Sequence, residues 1–235
     1  MQEILIKIKD KVTNKYNFTP SNNIQLLVEN LQKLKSKEGC YVELGTFRGS
    51  TLLSVAMATK LLNIDTELFG VDTFEGFPNT TINNFDHPNY FQNLYDDGLI
   101  DNEHYLLAKT RTDNFSNIEH LKPSYFQNLE GLFSKVKDFN NIFLIKSKIK
   151  NSYQKINKPV KVLFFDCDLY DSYMDGFKEY YENVISGGVL VFDEYYSLKY
   201  PGALKSVNDF LGDKSGTLDF IVTNEGFKRY FFVKN

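Results

Sequence analysis

Three near-continuous apolar runs that each end in an acid constrain this chain more than any other feature. They are Leu68-Phe-Gly-Val-Asp72, Lys161-Val-Leu-Phe-Phe-Asp166 and Gly188-Val-Leu-Val-Phe-Asp193. A strand that does not alternate apolar with polar residues is buried on both faces, as in a parallel sheet covered by helices. Helical spacing lies between the runs. Ser50–Leu62 carries Leu52, Leu53, Val55, Ala56 and Ala58, with Ser50 as the expected cap; Ser172–Val184 and Gly202–Leu211 follow the later strands. A short strand, Cys40-Tyr-Val-Glu-Leu44, precedes the first helix, so the chain opens β-loop-α-β. Ile142–Ile145 adds a strand, and Phe220–Thr223 and Arg229–Val233, joined by Asn224-Glu-Gly226, read as a closing hairpin. The expected fold is α/β: a doubly wound, Rossmann-like, mostly parallel seven-stranded sheet that ends in an antiparallel hairpin.

The length of 235 residues suits one such domain with a small appendage. Residues 1–38 read as two helices, the first marked by Ile4, Ile6, Ile8 and Val12. The second is marked by Ile24, Leu26, Leu27, Val28, Leu31 and Leu34, with its start at Pro20-Ser21. They are the expected N-terminal helical appendage to a catalytic domain at 39–235, and candidate elements of a homo-oligomer. Residues 76–125 break the alternation. Phe85, Tyr90, Phe91, Tyr95 and Tyr105 make this stretch too aromatic for a linker. It is either a lid or substrate-recognition insertion, or a packed helical insertion without a binding role. A helix is expected over Tyr125–Val136.

Net charge is −3, which gives no electrostatic case for a nucleic-acid partner. No apolar run approaches the roughly 20 residues of a membrane span. The N-terminus alternates charge with aliphatics and lacks the apolar stretch of a signal peptide. Cys40 and Cys167 both sit in apolar, strand-like runs, so no disulfide framework is expected and a reducing cytoplasm is the expected compartment.

Two motifs point to a nucleoside-bearing ligand. Glu43-Leu-Gly45-Thr-Phe-Arg-Gly49 lies at the first strand-to-helix turn. Gly45 permits the tight turn, and Gly49 would let a ligand approach the helix start. Phe47 and Ser50 stand where a dinucleotide fingerprint needs glycines, so no pyrophosphate cradle is implied. The same loop is equally read as a glycine turn made for packing. Asp72 follows Gly49 by 23 residues, at the strand end where doubly wound folds place an acid for ribose hydroxyls.

A third motif is a set of acids. Asp166-Cys-Asp168 follows one strand and Asp193-Glu194 the next, so both emerge at the carboxyl edge of the sheet. Carboxylates gathered in one mouth repel each other unless a cation or donors intervene. All-oxygen donors suit Mg²⁺, Mn²⁺ or Ca²⁺, not Zn²⁺. The bland alternative is that one or two of them cap the following helices.

Together these residues resemble the TylF/MycF family, the macrocin-type sugar O-methyltransferases. The resemblance is carried by Glu43–Ser50, Val71-Asp-Thr-Phe-Glu-Gly-Phe-Pro78, Phe165-Asp-Cys-Asp-Leu-Tyr-Asp-Ser172, Ser186-Gly-Gly-Val-Leu-Val-Phe-Asp-Glu-Tyr195 and Gly202-Ala-Leu-Lys-Ser-Val207. It implies a class I methyltransferase that uses S-adenosylmethionine (SAM) and Mg²⁺ to methylate a sugar hydroxyl on a small-molecule acceptor. The implied metal ligands are Asp166, Asp193 and Glu194, with Asp166 also the general base. Glu194 departs from the Asp-Asp pair usual in the family. The implied SAM contacts are Glu43, Gly45, Thr46, Arg48, Gly49, Ser50, Asp72, Thr73 and Asp166. Lys146-Ser-Lys-Ile-Lys-Asn-Ser152 departs from the glycine-aromatic pattern on the adenine side. Some relatives use a lid histidine as base. His87, His104 and His120 are the candidates and His120 the one chosen, although a histidine in such a segment is more often on the surface.

Three rival readings share some of these features. A metal-dependent glycosyltransferase also ends a strand in D-x-D, but does not require the Glu43–Gly49 loop. An aspartyl phosphatase would place D-x-D after its first strand. A non-catalytic nucleoside-binding domain would leave the clustered acids unexplained.

Overall fold

In the computed structural model, residues 1–77, 83–111 and 129–235 are described. Seven strands form one sheet in the order β3-β2-β1-β4-β5-β7-β6. They are β1 (Cys40–Leu44), β2 (Leu68–Asp72), β3 (Ile142–Lys146), β4 (Val160–Phe165), β5 (Val184–Phe192), β6 (Gly216–Val222) and β7 (Lys228–Lys234). The first five pair in parallel. β7 inserts antiparallel between β5 and β6. The sheet order reverses direction at β1 and β4, the crevice where such folds bind ligands.

Helices cover both faces, as the apolar strands require. α1 (Gln2–Tyr16), α2 (Ile24–Lys33) and α3 (Ser50–Leu62) lie on one side. Leu26, Leu27 and Leu31 of α2 and Leu52 and Val55 of α3 pack there on Tyr41, Val162, Phe164 and Val191. α7 (Tyr170–Tyr180) and α8 (Pro201–Leu211) cover the other side, where Tyr173, Phe177 and Val207 meet Val42, Leu44, Phe165 and Phe192. Ile8, Val12 and Tyr16 of α1 follow the spacing of one helix face and are buried against α3, whereas Ile6 is 56% exposed.

Several boundaries differ from those read in the sequence. α2 starts at Ile24 after Asn23, not at Pro20-Ser21. α7 begins at Tyr170, and the residues expected at its end form a short 3-10 turn, Tyr181–Asn183. β5 starts at Val184, not Gly188. Val160 faces Val184 and Val162 faces Val189, so β5 carries extra residues around Gly187, which has φ +77°. β6 begins four residues before the expected Phe220. Helix α6 runs over Leu129–Val136; the expected start at Tyr125 lies outside the described residues.

The insertion is helical where described. A 3-10 turn at Asn84–Asp86 precedes α4 (Tyr90–Asp96) and α5 (Asn102–Arg111). Phe91, Leu94, Ile100 and Ala108 form a small core closed by Leu204 of α8. Among the described residues, no helix is long and apolar enough to cross a membrane. Both cysteines are free and buried.

Candidate active site

The site is built where β1, β2, β4 and β5 end side by side. The Gly45 amide donates to the Val71 carbonyl at 2.9 Å, and the Asp166 amide to the Leu44 carbonyl at 2.9 Å, so the first loop is locked to both neighbouring strands. Gly45 has φ +93°, and a Cβ there would lie 1.9 Å from the Asp166 carbonyl oxygen. Only glycine fits. Gly49 has φ +76° and caps α3, but a Cβ there would meet the Leu132 side chain of α6 at 2.4 Å. A side chain at this position would therefore point at α6. Ser50 does not cap α3 either; its hydroxyl donates to the Thr19 carbonyl at 2.7 Å. Thr46 is buried, and its Oγ1 has no partner among the described residues. Arg48 is exposed, with its guanidinium 5.0 Å from the Phe47 ring.

Asp72 closes β2 and pins this loop. Its Oδ2 accepts from the Phe47 amide at 2.8 Å and its Oδ1 from the Phe74 amide at 2.7 Å. Both donors belong to residues with left-handed φ, 47° and 54°, so the carboxylate stabilises two backbone conformations that side chains disfavour. Burial raises the Asp72 carboxyl, while those amides oppose the shift. The Thr73 hydroxyl donates to the Gly76 carbonyl and accepts from the Glu75 amide, a local turn. Glu43 is buried at the end of β1 and accepts from the Tyr41 hydroxyl at 2.8 Å. Burial, with the charges of Asp72 and Asp193 adding to it, pushes Glu43 up to about 8.

The remaining acids sit one strand further along. Asp193's amide donates to the Phe165 carbonyl at 3.0 Å. Tyr173, wholly buried on α7, donates to that carbonyl at 3.2 Å and accepts from the Glu194 amide at 3.3 Å. One phenol thus fixes the spacing of both acid-bearing strand ends. Asp166 is driven far up by burial, then by Asp193, Asp168 and Glu43. Glu194 is raised by burial and by Asp193, with Ser197 and Arg229 opposing. Asp168, at left-handed φ 61°, is pushed up to about 7 by burial and by Asp193, with Lys199 opposing. The Tyr200 phenol is raised by burial and by the charges of Asp168, Glu194, Asp166 and Asp193. Among the described residues, no three of these groups are drawn together as a metal-ligand set.

The sequence matches the macrocin-O-methyltransferase (TylF) family over residues 16–220. The chain belongs to this family. No curated protein matches it in sequence. Its fold is similar to the O-methyltransferase NovP, at 14% identity, with 91% of this chain and 80% of NovP covered and a TM-score of 0.64. The calicheamicin methyltransferase CalS11 is similar over 99% of this chain and 91% of its own, at 16% identity and a TM-score of 0.62. The S-adenosylhomocysteine-bound methyltransferase PaMTH1 of Podospora anserina is similar at 10% identity, with 100% and 89% covered and a TM-score of 0.54. The protein is a SAM-dependent O-methyltransferase with the class I fold. The glycosyltransferase, phosphatase and non-catalytic readings fall with that assignment.

In this TylF-family enzyme the site is also braced by residues that the sequence does not single out. Asn23 is fully buried, and its carboxamide donates to the Asp193 carboxylate. Arg229 of β7 donates to the Asp193 carbonyl at 3.4 Å. Asp86 of the insertion, 2% exposed, accepts from the Tyr170 amide at the start of α7 at 2.8 Å. A lone polar or charged residue carries no periodic signal, so none of the three stands out in the chain. Of the histidines, His104 is buried, contrary to the surface expectation, and its Nε2 lies 2.6 Å from the Ser197 carbonyl. Burial lowers its pKa, and the ring braces the insertion against the loop after Glu194. His87 accepts from the Asn89 amide in a local turn. His120 lies outside the described residues.

Proposed function

We propose that this enzyme transfers the methyl group of SAM to a hydroxyl of a sugar, assisted by a divalent cation. The observation that carries the reading is the acid-rich mouth between the Gly45–Gly49 loop and the helical insertion. Asp166, Asp193 and Glu194 offer the hard oxygen donors that Mg²⁺, Mn²⁺ or Ca²⁺ takes, and a cation would relieve their mutual repulsion. Such an ion would lower the pKa of a sugar hydroxyl near it. The sugar acceptor is supported by the family and by the description of CalS11 as a TDP-rhamnose 3'-O-methyltransferase.

In this reading the Glu43–Ser50 loop holds the methionine portion of SAM, with Thr46 and Arg48 available to it, and Asp72 and Thr73 face the ribose. The Phe47 and Phe74 amides hold the Asp72 carboxylate in place at the end of β2, where a ribose hydroxyl would meet it. Asp166 takes the proton from the acceptor hydroxyl. The acceptor oxygen then attacks the methyl carbon, the bond to sulfur breaks, and S-adenosylhomocysteine leaves. Positioning supplies most of the rate. Residues 76–125 act as the lid that sets acceptor choice, on a catalytic domain of residues 39–235.

Calorimetric titration with S-adenosylhomocysteine, with and without Mg²⁺, followed by turnover on nucleotide-linked sugars, tests this. Asp166→Asn should bind S-adenosylhomocysteine nearly as the parent does and lose turnover sharply. Unchanged turnover would sink the assignment of the base.

A further inference from the structure

Asn23 stands immediately before α2, the position where asparagine ordinarily caps a helix by accepting a backbone amide on its side-chain oxygen. It does not do so here. Its backbone is helical, at φ −80° and ψ −12°, and its side chain makes no capping hydrogen bond. The Ser21 hydroxyl takes the local role, accepting the Asn23 amide at 3.1 Å. The carboxamide nitrogen donates to the Ser21 hydroxyl at 3.3 Å and, turned inward, to Asp193, 170 residues away in the chain. Asn23 is 0% exposed, and its Oδ1 has no partner among the described residues. An acceptor left unsatisfied in a dry interior is costly, and such atoms call for an explanation. The two other buried side-chain atoms in that condition, Thr46 Oγ1 and Arg229 Nε, border the same sheet edge.

We propose that Asn23 is part of the active site: its N–H orients the Asp193 carboxylate, and its Oδ1 receives a cationic donor bound beside that carboxylate. Asp193 supplies negative charge, and Oδ1 supplies a neutral acceptor next to it. That pair matches a hydrated divalent cation or the α-ammonium of the methionine tail, each positive and each rich in donors. The N-terminal helical segment then completes the catalytic domain instead of merely covering its sheet. The inference rests on the reading above that Asp193 faces a ligand.

The test uses the full chain and two probes, Mn²⁺ alone and S-adenosylhomocysteine alone, which keeps the α-ammonium. Serine suits a helix start as well as asparagine does, but its hydroxyl is too short to replace the carboxamide on Asp193, so Asn23→Ser removes that contact and leaves the start of α2 in place. Asn23→Ala is the companion variant, and thermal melting establishes that each is folded. Partners that orient a ligand group typically contribute 10- to 100-fold to affinity. A loss of about that size for Mn²⁺, with S-adenosylhomocysteine binding retained, assigns Oδ1 to the cation. The same loss for S-adenosylhomocysteine alone assigns it to the ammonium. Folded variants that bind both probes like the parent overturn the inference. A parent protein that binds neither probe overturns the proposed function itself, and this inference with it.

Discussion

Gly45 and Gly49 belong to one sequence motif, yet their replacement by alanine should have very different consequences. Both hold left-handed φ, so alanine at either costs roughly 1 to 2 kcal/mol of backbone strain. The difference lies in what the new methyl meets. At position 45 it would stand 1.9 Å from the Asp166 carbonyl oxygen, 2.7 Å from the Asp166 carbonyl carbon and 3.1 Å from Cys167 Cα. All three are backbone atoms of a buried strand end, which yields only by moving. Overpacking of this kind adds about 1 to 3 kcal/mol, giving a total near 2 to 5 kcal/mol. At position 49 the methyl meets the terminal carbon of Leu132 at 2.4 Å, and a leucine can change rotamer. Gly49→Ala should therefore cost little beyond its strain. The two variants also part in activity. Relieving the clash at 45 shifts Asp166 by about 1 Å, and a misplacement of that size can cost about 100-fold in rate. Urea unfolding of the two variants and the parent, with methyl-transfer rates measured alongside, makes the comparison. Equal losses of stability at the two glycines, or a Gly45→Ala enzyme of parental rate, would refute the reasoning.

Two further substitutions probe other parts of the site. Asp72→Ala leaves the Phe47 and Phe74 amides without their acceptor, and should weaken S-adenosylhomocysteine binding by about 1 to 3 kcal/mol in calorimetry. Asp86 is held up to about 7 by burial, against roughly 3.9 in an unfolded chain. The folded state grips the proton harder, so the stability this group contributes is complete below about pH 4 and is lost as pH rises through 7. The full difference is on the order of 4 kcal/mol. Asp86→Asn keeps an oxygen for the Tyr170 amide and should be more stable than the parent at pH 8, with a flatter dependence from pH 4 to 7. Parallel curves for the two proteins would remove Asp86 from the account.

The sheet and its helices were legible because burial on both faces writes itself into a run such as Val162–Phe165. The same apolar logic placed α3, α8 and the closing hairpin. Boundaries slipped where a polar or glycine-rich stretch pairs without an apolar signal, as at Val184–Gly187 and at the exposed start of β6. The acid-rich mouth was legible because strand ends fix where acids emerge. Its supports were not: Asn23 and Asp86 act across 84 residues or more of chain. Arg229's contact with Asp193 spans fewer, 36, but depends on β7 lying beside β5, which spacing alone does not give. Ser50 shows the reverse error, since an ordinary capping rule pointed away from the Thr19 contact that its hydroxyl makes.

The placement of β7 between β5 and β6 has a consequence for how the chain reaches this state. β6 leaves the ribosome before its sole ladder partner, so it waits with both edges open until Lys228–Lys234 emerges. During that interval β5 is also an uncovered edge, and Leu218, Phe220 and Val222 are available for pairing with other chains. The late strand closes the β5 edge and one edge of β6 at once, and its Lys234 ammonium gathers the carbonyls of Tyr181 at 2.7 Å and Val184 at 2.9 Å. The same event brings Arg229 to Asp193. Docking of β7 thus closes the gap in the sheet and braces the acid-lined mouth through Arg229 in one step.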